Sequence, residues 1–148
     1  AIVVAADISK IAIDSSSNNL LSNYPGIDLR TVQTDALHID RWMQLVLEEK
    51  SLKGDGPVII SMWYLIHEIA RHQTQVVADF FTAIHKSCPD AHLLVGEIIN
   101  VSPEQLASSP HGSIMPEFLF FHELSGQGVL TWAQFQDLLN LIWHLIFV

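Results

Sequence analysis

The sequence predicts an α/β domain built on a parallel sheet, and three observations predict it. Short apolar runs recur at intervals long enough for crossover helices. Each run finishes on a polar residue. Hydrophobic residues make up 49% of the 148 positions and charged residues 16%, a balance that suits strands covered on both faces. A chain of this length is one domain's worth of material, so residues 1–148 read as a single domain.

Residues 1–6 are continuously apolar and stop at Asp7, which predicts a buried parallel strand. Ser9 caps a helix from Lys10 to about Asn23, with Ile11, Ala12, Leu20 and Leu21 available to its buried side. Asn23-Tyr24-Pro25-Gly26 is a turn, and a second strand over 29–34 ends at Asp35. Asp40 caps a short helix carrying Trp42, Leu45 and Val46, broken by the Gly-rich stretch 53–57. A third strand spans 58–64. A helix over 73–86 places Val76, Val77, Phe80, Phe81 and Ile84 on one stripe until Cys88-Pro89 stops it, and a fourth strand covers 91–99.

The last third has a different texture. A Ser- and Pro-rich loop over 101–112 precedes an apolar helix over 115–124 and a turn over 125–128. Thr131 and Gln134 form a capping box that opens a final helix with Phe135, Leu138, Leu139 and Ile142 inward. Residues 1–100 therefore hold the strands, and 101–148 form a helical segment. A complete doubly wound domain needs further strands at both ends, so the domain reads as partial.

Charge narrows the function. The formal net charge is −9, from 7 basic against 16 acidic residues, and the basic ones are scattered, which disfavours nucleic acid. The apolar runs fall short of the ~20 residues of a membrane helix, and the start shows no signal peptide. Cys88 is the only cysteine, which excludes an internal disulfide and fits a reducing, cytoplasmic setting. The expected partner is a small or carrier-bound substrate, with the chain part of a larger multidomain protein or an oligomer.

In open parallel sheets ligands bind at the carboxyl edge. The polar strand ends here are Asp7, Asp35, the segment from Ser61 to His67, and Glu97. One carboxylate on such an edge can accept from both ribose hydroxyls and another from the adenine amino group. The plainer alternative for each is a cap on the next helix.

Four segments in order, VVAADISKIAIDSSSNNL, TVQTDAL, GPVIISMWYLIHEIA and HLLVGEII, resemble strands two to five of the class I (seven-strand, Rossmann-like) S-adenosylmethionine-dependent methyltransferases. The resemblance covers roughly residues 1–100. It implies a Rossmann-like sheet with helices on both faces, incomplete at the N-terminus, and S-adenosylmethionine as cofactor. It places Asp7 on the ribose, Ile8 against the adenine ring, Asp35 at the adenine amino group and Ala36 beside it. Ser61 and Met62 fall nearest the methionine portion and the methyl group, His67 near the substrate, and the helical segment 101–148 on the substrate side.

The implied activity is methyl transfer to an oxygen or carbon of a small or carrier-bound metabolite. The alternative is a non-catalytic methyltransferase-like domain serving structure or interaction. The sequence departs from the family at the glycine-rich turn after strand one, which has no counterpart here. Gly126-Gln127-Gly128 cannot replace it, since no strand leads into it, so the chain alone is expected to bind cofactor poorly. A nicotinamide dehydrogenase is disfavoured by the absence of a Tyr-x-x-x-Lys pair.

Methyl transfer needs alignment, and an oxygen or carbon acid also needs a base. His67 is the first candidate, with Glu68 or a neighbour to orient it; the alternative is a structural cap at a helix start. His122, flanked by Glu123, is the second. His38, His72, His85, His92, His111 and His144 receive no role. No His-x₃-His or Cys/His cluster is present, so a locally encoded metal site is not expected. A non-local set of His67 and Glu97 with His122 or Gln127 resembles the mononuclear iron or manganese site of certain polyketide-associated methyltransferases. Phe118, Phe120, Phe121, Trp132 and Trp143 are assigned to the core, and Glu48, Glu49 and Asp55 to a solvated face.

Overall fold

Apolar runs become strands where a parallel neighbour takes up their backbone hydrogen bonds. The computed structural model of the chain describes residues 2–54, 56–70, 74–100, 102, 104, 108, 120–122, 124–126 and 129–147. It divides into two compact units, one of Ala1–Val58 with Lys86–Asp90 and one of Ile59–His85 with Ala91–Val148. The molecule is mixed α/β with parallel strand pairing in each unit. Among the described residues the strands pair as two two-stranded parallel sheets, one in each unit.

In the first unit β1 (Ile2–Asp7) pairs with β2 (Asp28–Gln33), from Ile2 opposite Asp28 to Asp7 opposite Gln33. Helices α1 (Lys10–Asn23) and α2 (Ile39–Lys53) both pack on this pair. With one neighbour, β1 is half-buried instead of fully buried. Ser9 caps α1 as expected, its extended backbone letting Oγ accept from the Ala12 N–H at 3.3 Å. The inward residue is Ile13, whereas Ile11 and Leu21 are exposed. A helix so rich in Ser and Asn has no broad apolar stripe, so one central side chain meets the narrow ladder.

The start of α2 corrects the expected cap. His38 holds the N-cap position without a side-chain bond, and Asp40 lies in the first turn, where its charge faces the positive end of the helix. Trp42 and Met43 are buried. Glu49 also departs from expectation: it is buried and accepts from Arg30 Nε at 2.8 Å, while Glu48 remains exposed.

In the second unit β3 (Ile59–Trp63) pairs with β4 (His92–Gly96), from Ile59 opposite His92 to Trp63 opposite Gly96. The short α3 (Ile66–Ala70) and the longer α4 (Thr74–Ser87) lie between them in sequence. Val77, Phe80, Phe81 and Ile84 are buried at the i, i+3, i+4, i+7 spacing, so the predicted stripe forms. Helix α5 (Trp132–Phe147) opens on the expected capping box. Gln134 Oε1 accepts from the Thr131 N–H at 2.8 Å, and Thr131 Oγ1 from the Gln134 N–H at 3.3 Å.

Leu138 and Ile142 are buried on α5, but Leu139 is exposed. Phe120, Phe121 and Trp132 are exposed too, against their assignment to the core. They shelter partly in edge and tilted ring contacts, Phe120 on Phe121 and Trp132 on Phe135. Phe118, Gln127, Asp55 and the Trp143 side chain lie outside the described residues. Among those described, no helix is long and apolar enough to cross a membrane.

Candidate functional site

Parallel pairing decides where the strand-end acids go. Asp7 closes β1 opposite Gln33, and its carbonyl accepts from the Thr34 N–H at 2.9 Å. Asp35 follows immediately, so both aspartates stand at the same carboxyl edge. Each is also tied to its own turn. Asp7 Oδ1 accepts from the Ser9 N–H at 2.7 Å, and Asp35 Oδ1 from the Leu37 N–H at 2.9 Å. One oxygen of each carboxylate is thus used in shaping the loop.

Ile8 is exposed beside them, and its carbonyl accepts from Gln33 Nε2 at 3.1 Å. Ala36 is half-buried, and its carbonyl accepts from the Trp42 indole N–H at 2.9 Å. Trp42 therefore fixes the Asp35–Ala36 loop, a role its place in an apolar pattern did not reveal. An open groove of about 420 Å³ elsewhere in this unit runs along α2 past Met43 and Leu47.

In the second unit Ser61 and Met62 are consecutive in β3 and so face opposite sides of the ladder. Met62 is buried, and exposed Ser61 accepts from the Trp63 indole N–H at 2.7 Å. The Trp63 ring lies over Gly96, where any Cβ would run into it. Tyr64 then adopts a left-handed backbone, φ 56°, with its N–H on the Gly96 carbonyl at 2.8 Å. For a bulky non-glycine residue this conformation costs of order 1 kcal/mol, and such strain gathers at functional sites. It turns the chain directly into α3.

His67 sits at the start of α3 with its side chain 2% exposed. Its partner is Glu97, the residue after β4, whose side chain is 1% exposed. Glu97 Oε1 lies 2.7 Å from His67 Nδ1 and accepts from the Ile98 N–H at 2.9 Å. Its Oε2 accepts from the His67 N–H at 3.1 Å. An ionised carboxylate only accepts, so Nδ1 is the donor here, and in the neutral imidazole that tautomer leaves Nε2 its lone pair.

Two further groups lie close to the ring. Glu68 Oε1 is 3.7 Å from His67 Nε2, and the His122 ring meets His67 edge-on with centroids 5.2 Å apart. The structure thus brings together His67 and His122, two members of the non-local set considered from the sequence. It gives the orienting task to Glu97 and leaves Glu68 on the opposite side of the ring. His67 is the second residue of α3, and its imidazole is bonded to Glu97. A fixed tautomer with one open nitrogen can accept a proton or bind a cation.

No family model, curated protein or solved structure matches the chain.

Proposed function

We propose that the chain is the cofactor-binding part of an S-adenosylmethionine-dependent methyltransferase with a Rossmann-like fold, acting on an oxygen or carbon of a small or carrier-bound metabolite. The observation that carries the reading is the shared carboxyl edge of Asp7 and Asp35, where a nucleoside-binding sheet needs its acids. Strand pairing adds support. In a doubly wound sheet of order 3-2-1-4-5, strands two and three are neighbours, as are strands four and five. With β1 to β4 as strands two to five, the observed pairs are the two that leave out the first strand.

In this reading Asp7 binds the ribose and Asp35 the adenine amino group, each through the carboxylate oxygen its turn does not use. Ile8 and Ala36 flank the base, Ser61 and Met62 lie toward the methionine end, and His67 removes the acceptor's proton through Nε2. Glu97 holds that imidazole in place and stabilises the imidazolium as it forms, the task of a buried carboxylate behind a general base. His122 stands on the substrate side.

The test is calorimetric titration of S-adenosylhomocysteine into the full-length protein. Asp7→Ala and Asp35→Ala are each expected to weaken binding by about tenfold, the worth of a charge-assisted hydrogen bond. Absence of binding in the unsubstituted protein, or unchanged affinity in both variants, overturns the reading. A second reading, a non-catalytic methyltransferase-like domain, draws on the same two aspartates, whose bonds to Ser9 and Leu37 give them structural work without any ligand. That domain binds no nucleoside, so the same titration separates the two.

A further inference from the structure

We propose that His67, Glu68 and His122 form a binding site for one divalent transition-metal cation, with Glu97 behind it as the group that orients the first ligand. The inference goes beyond methyl transfer and holds whether or not the chain carries that activity.

The donor set comes first. His67, Glu68 and His122 each present a ligand atom, and these atoms all lie within 4.8 Å of one another. A cation with bonds of about 2.0–2.2 Å sets its ligands roughly 3–3.5 Å apart. Modest side-chain rotations close the set to that spacing. The 3.7 Å between His67 Nε2 and Glu68 Oε1 is too long for a hydrogen bond and close to the separation of two ligands on one ion. Two imidazoles and one carboxylate make a mixed nitrogen and oxygen donor set that suits zinc, iron or manganese and leaves positions open to a substrate.

The surroundings favour a cation. A metal-bound histidine usually donates its second ring N–H to a carboxylate, which fixes the tautomer and strengthens the nitrogen as a donor. Glu97 does this for His67 at 2.7 Å, and its own oxygens are held by the backbone of His67 and Ile98. Those bonds remove Glu97 from the ligand set and assign it to the supporting layer, with Glu68 taking the place of the carboxylate ligand. His67 is buried, whereas Glu68 and His122 are half-buried and give the ion a route in.

One lone pair cannot serve two purposes at once. A cation held at Nε2 would leave the imidazole no lone pair for a proton, and would itself supply Lewis-acid chemistry there. His67 is then a ligand, and the metal-free protein is the form in which it is a base.

The experiment titrates chelator-treated protein with Zn(II), Mn(II), Co(II) and, without oxygen, Fe(II). Bound metal is counted by elemental analysis after gel filtration, and the Co(II) visible absorption reports the ligand geometry. The expected result is one equivalent of at least one of these ions. His122→Ala and Glu68→Gln, both at half-buried positions, are expected to lower its affinity by about tenfold or more and to alter the Co(II) spectrum. Glu97→Gln is expected to cost about 10- to 100-fold in affinity, the usual effect of losing an orienting partner. Circular dichroism checks that each variant keeps the fold. Failure to retain any of the four ions, or equal affinity and an unchanged spectrum in both His122→Ala and Glu68→Gln, overturns the proposal. Neither outcome bears on nucleoside binding, which the calorimetry reads separately.

Discussion

Both parallel ladders end on acids, and they use them in opposite ways. At the β1·β2 edge, Asp7 is exposed and Asp35 half-buried, and each accepts the N–H two residues further on. After β4, Glu97 is buried and accepts from His67 and Ile98, tying together positions 30 residues apart. The difference is one methylene and its setting. A short aspartate folds back on its own turn, whereas the longer glutamate reaches across the ladder end to the start of another helix. Strand-end acids of similar appearance thus divide into loop-formers with an oxygen to spare and a fully committed clamp.

Removing the clamp is the most severe way to break this contrast. Glu97→Ala leaves the Nδ1 proton of a buried imidazole and the His67 N–H without their acceptor, at about 1–3 kcal/mol for each unsatisfied donor. Urea unfolding measures it, and a loss below about 1 kcal/mol would place Glu97 with the aspartates. Next comes Gly96→Ala, whose methyl group displaces the Trp63 indole immediately before the clamp. Overpacking of this kind is expected to cost about 1–3 kcal/mol, with a change in near-ultraviolet dichroism as the indole moves.

Ser9→Ala, at the head of α1, should lower stability by about 1 kcal/mol in the same unfolding assay. Smallest of all, Asp7→Asn and Asp35→Asn keep the turn-forming side-chain oxygen and should fall within about 0.5 kcal/mol of the unsubstituted protein. A larger loss in either would show that the negative charge itself supports the fold.

Local chemistry was legible in the sequence. The Thr131–Gln134 box needs only three residues of chain to close, and the α4 stripe needs only helical periodicity, so both appear as written. Strand positions were legible to within a few residues. β4 stops at Gly96 instead of running to Ile99, because Glu97 turns its carboxylate toward α3. What needed a partner far along the chain was not legible. Glu49 reads as a surface acid until Arg30 is beside it, and Ile11 reads as core until the ladder proves too narrow to cover it. At the candidate site His67 and His122 stood out by residue type. Their proximity was suggested only through a resemblance, and the division of labour between Glu68 and Glu97 depends on tertiary placement that spacing does not encode.

The brevity of α3 has a consequence for the order in which the protein assembles. Five residues are far too few to hold a helix by themselves in water, and the acceptor for the His67 N–H arrives only with residue 97. During synthesis His67 therefore emerges well before anything exists to fix it. Its final position must wait until the later strand has docked and swung its carboxylate home, so the imidazole is seated only once the tertiary fold around it has formed.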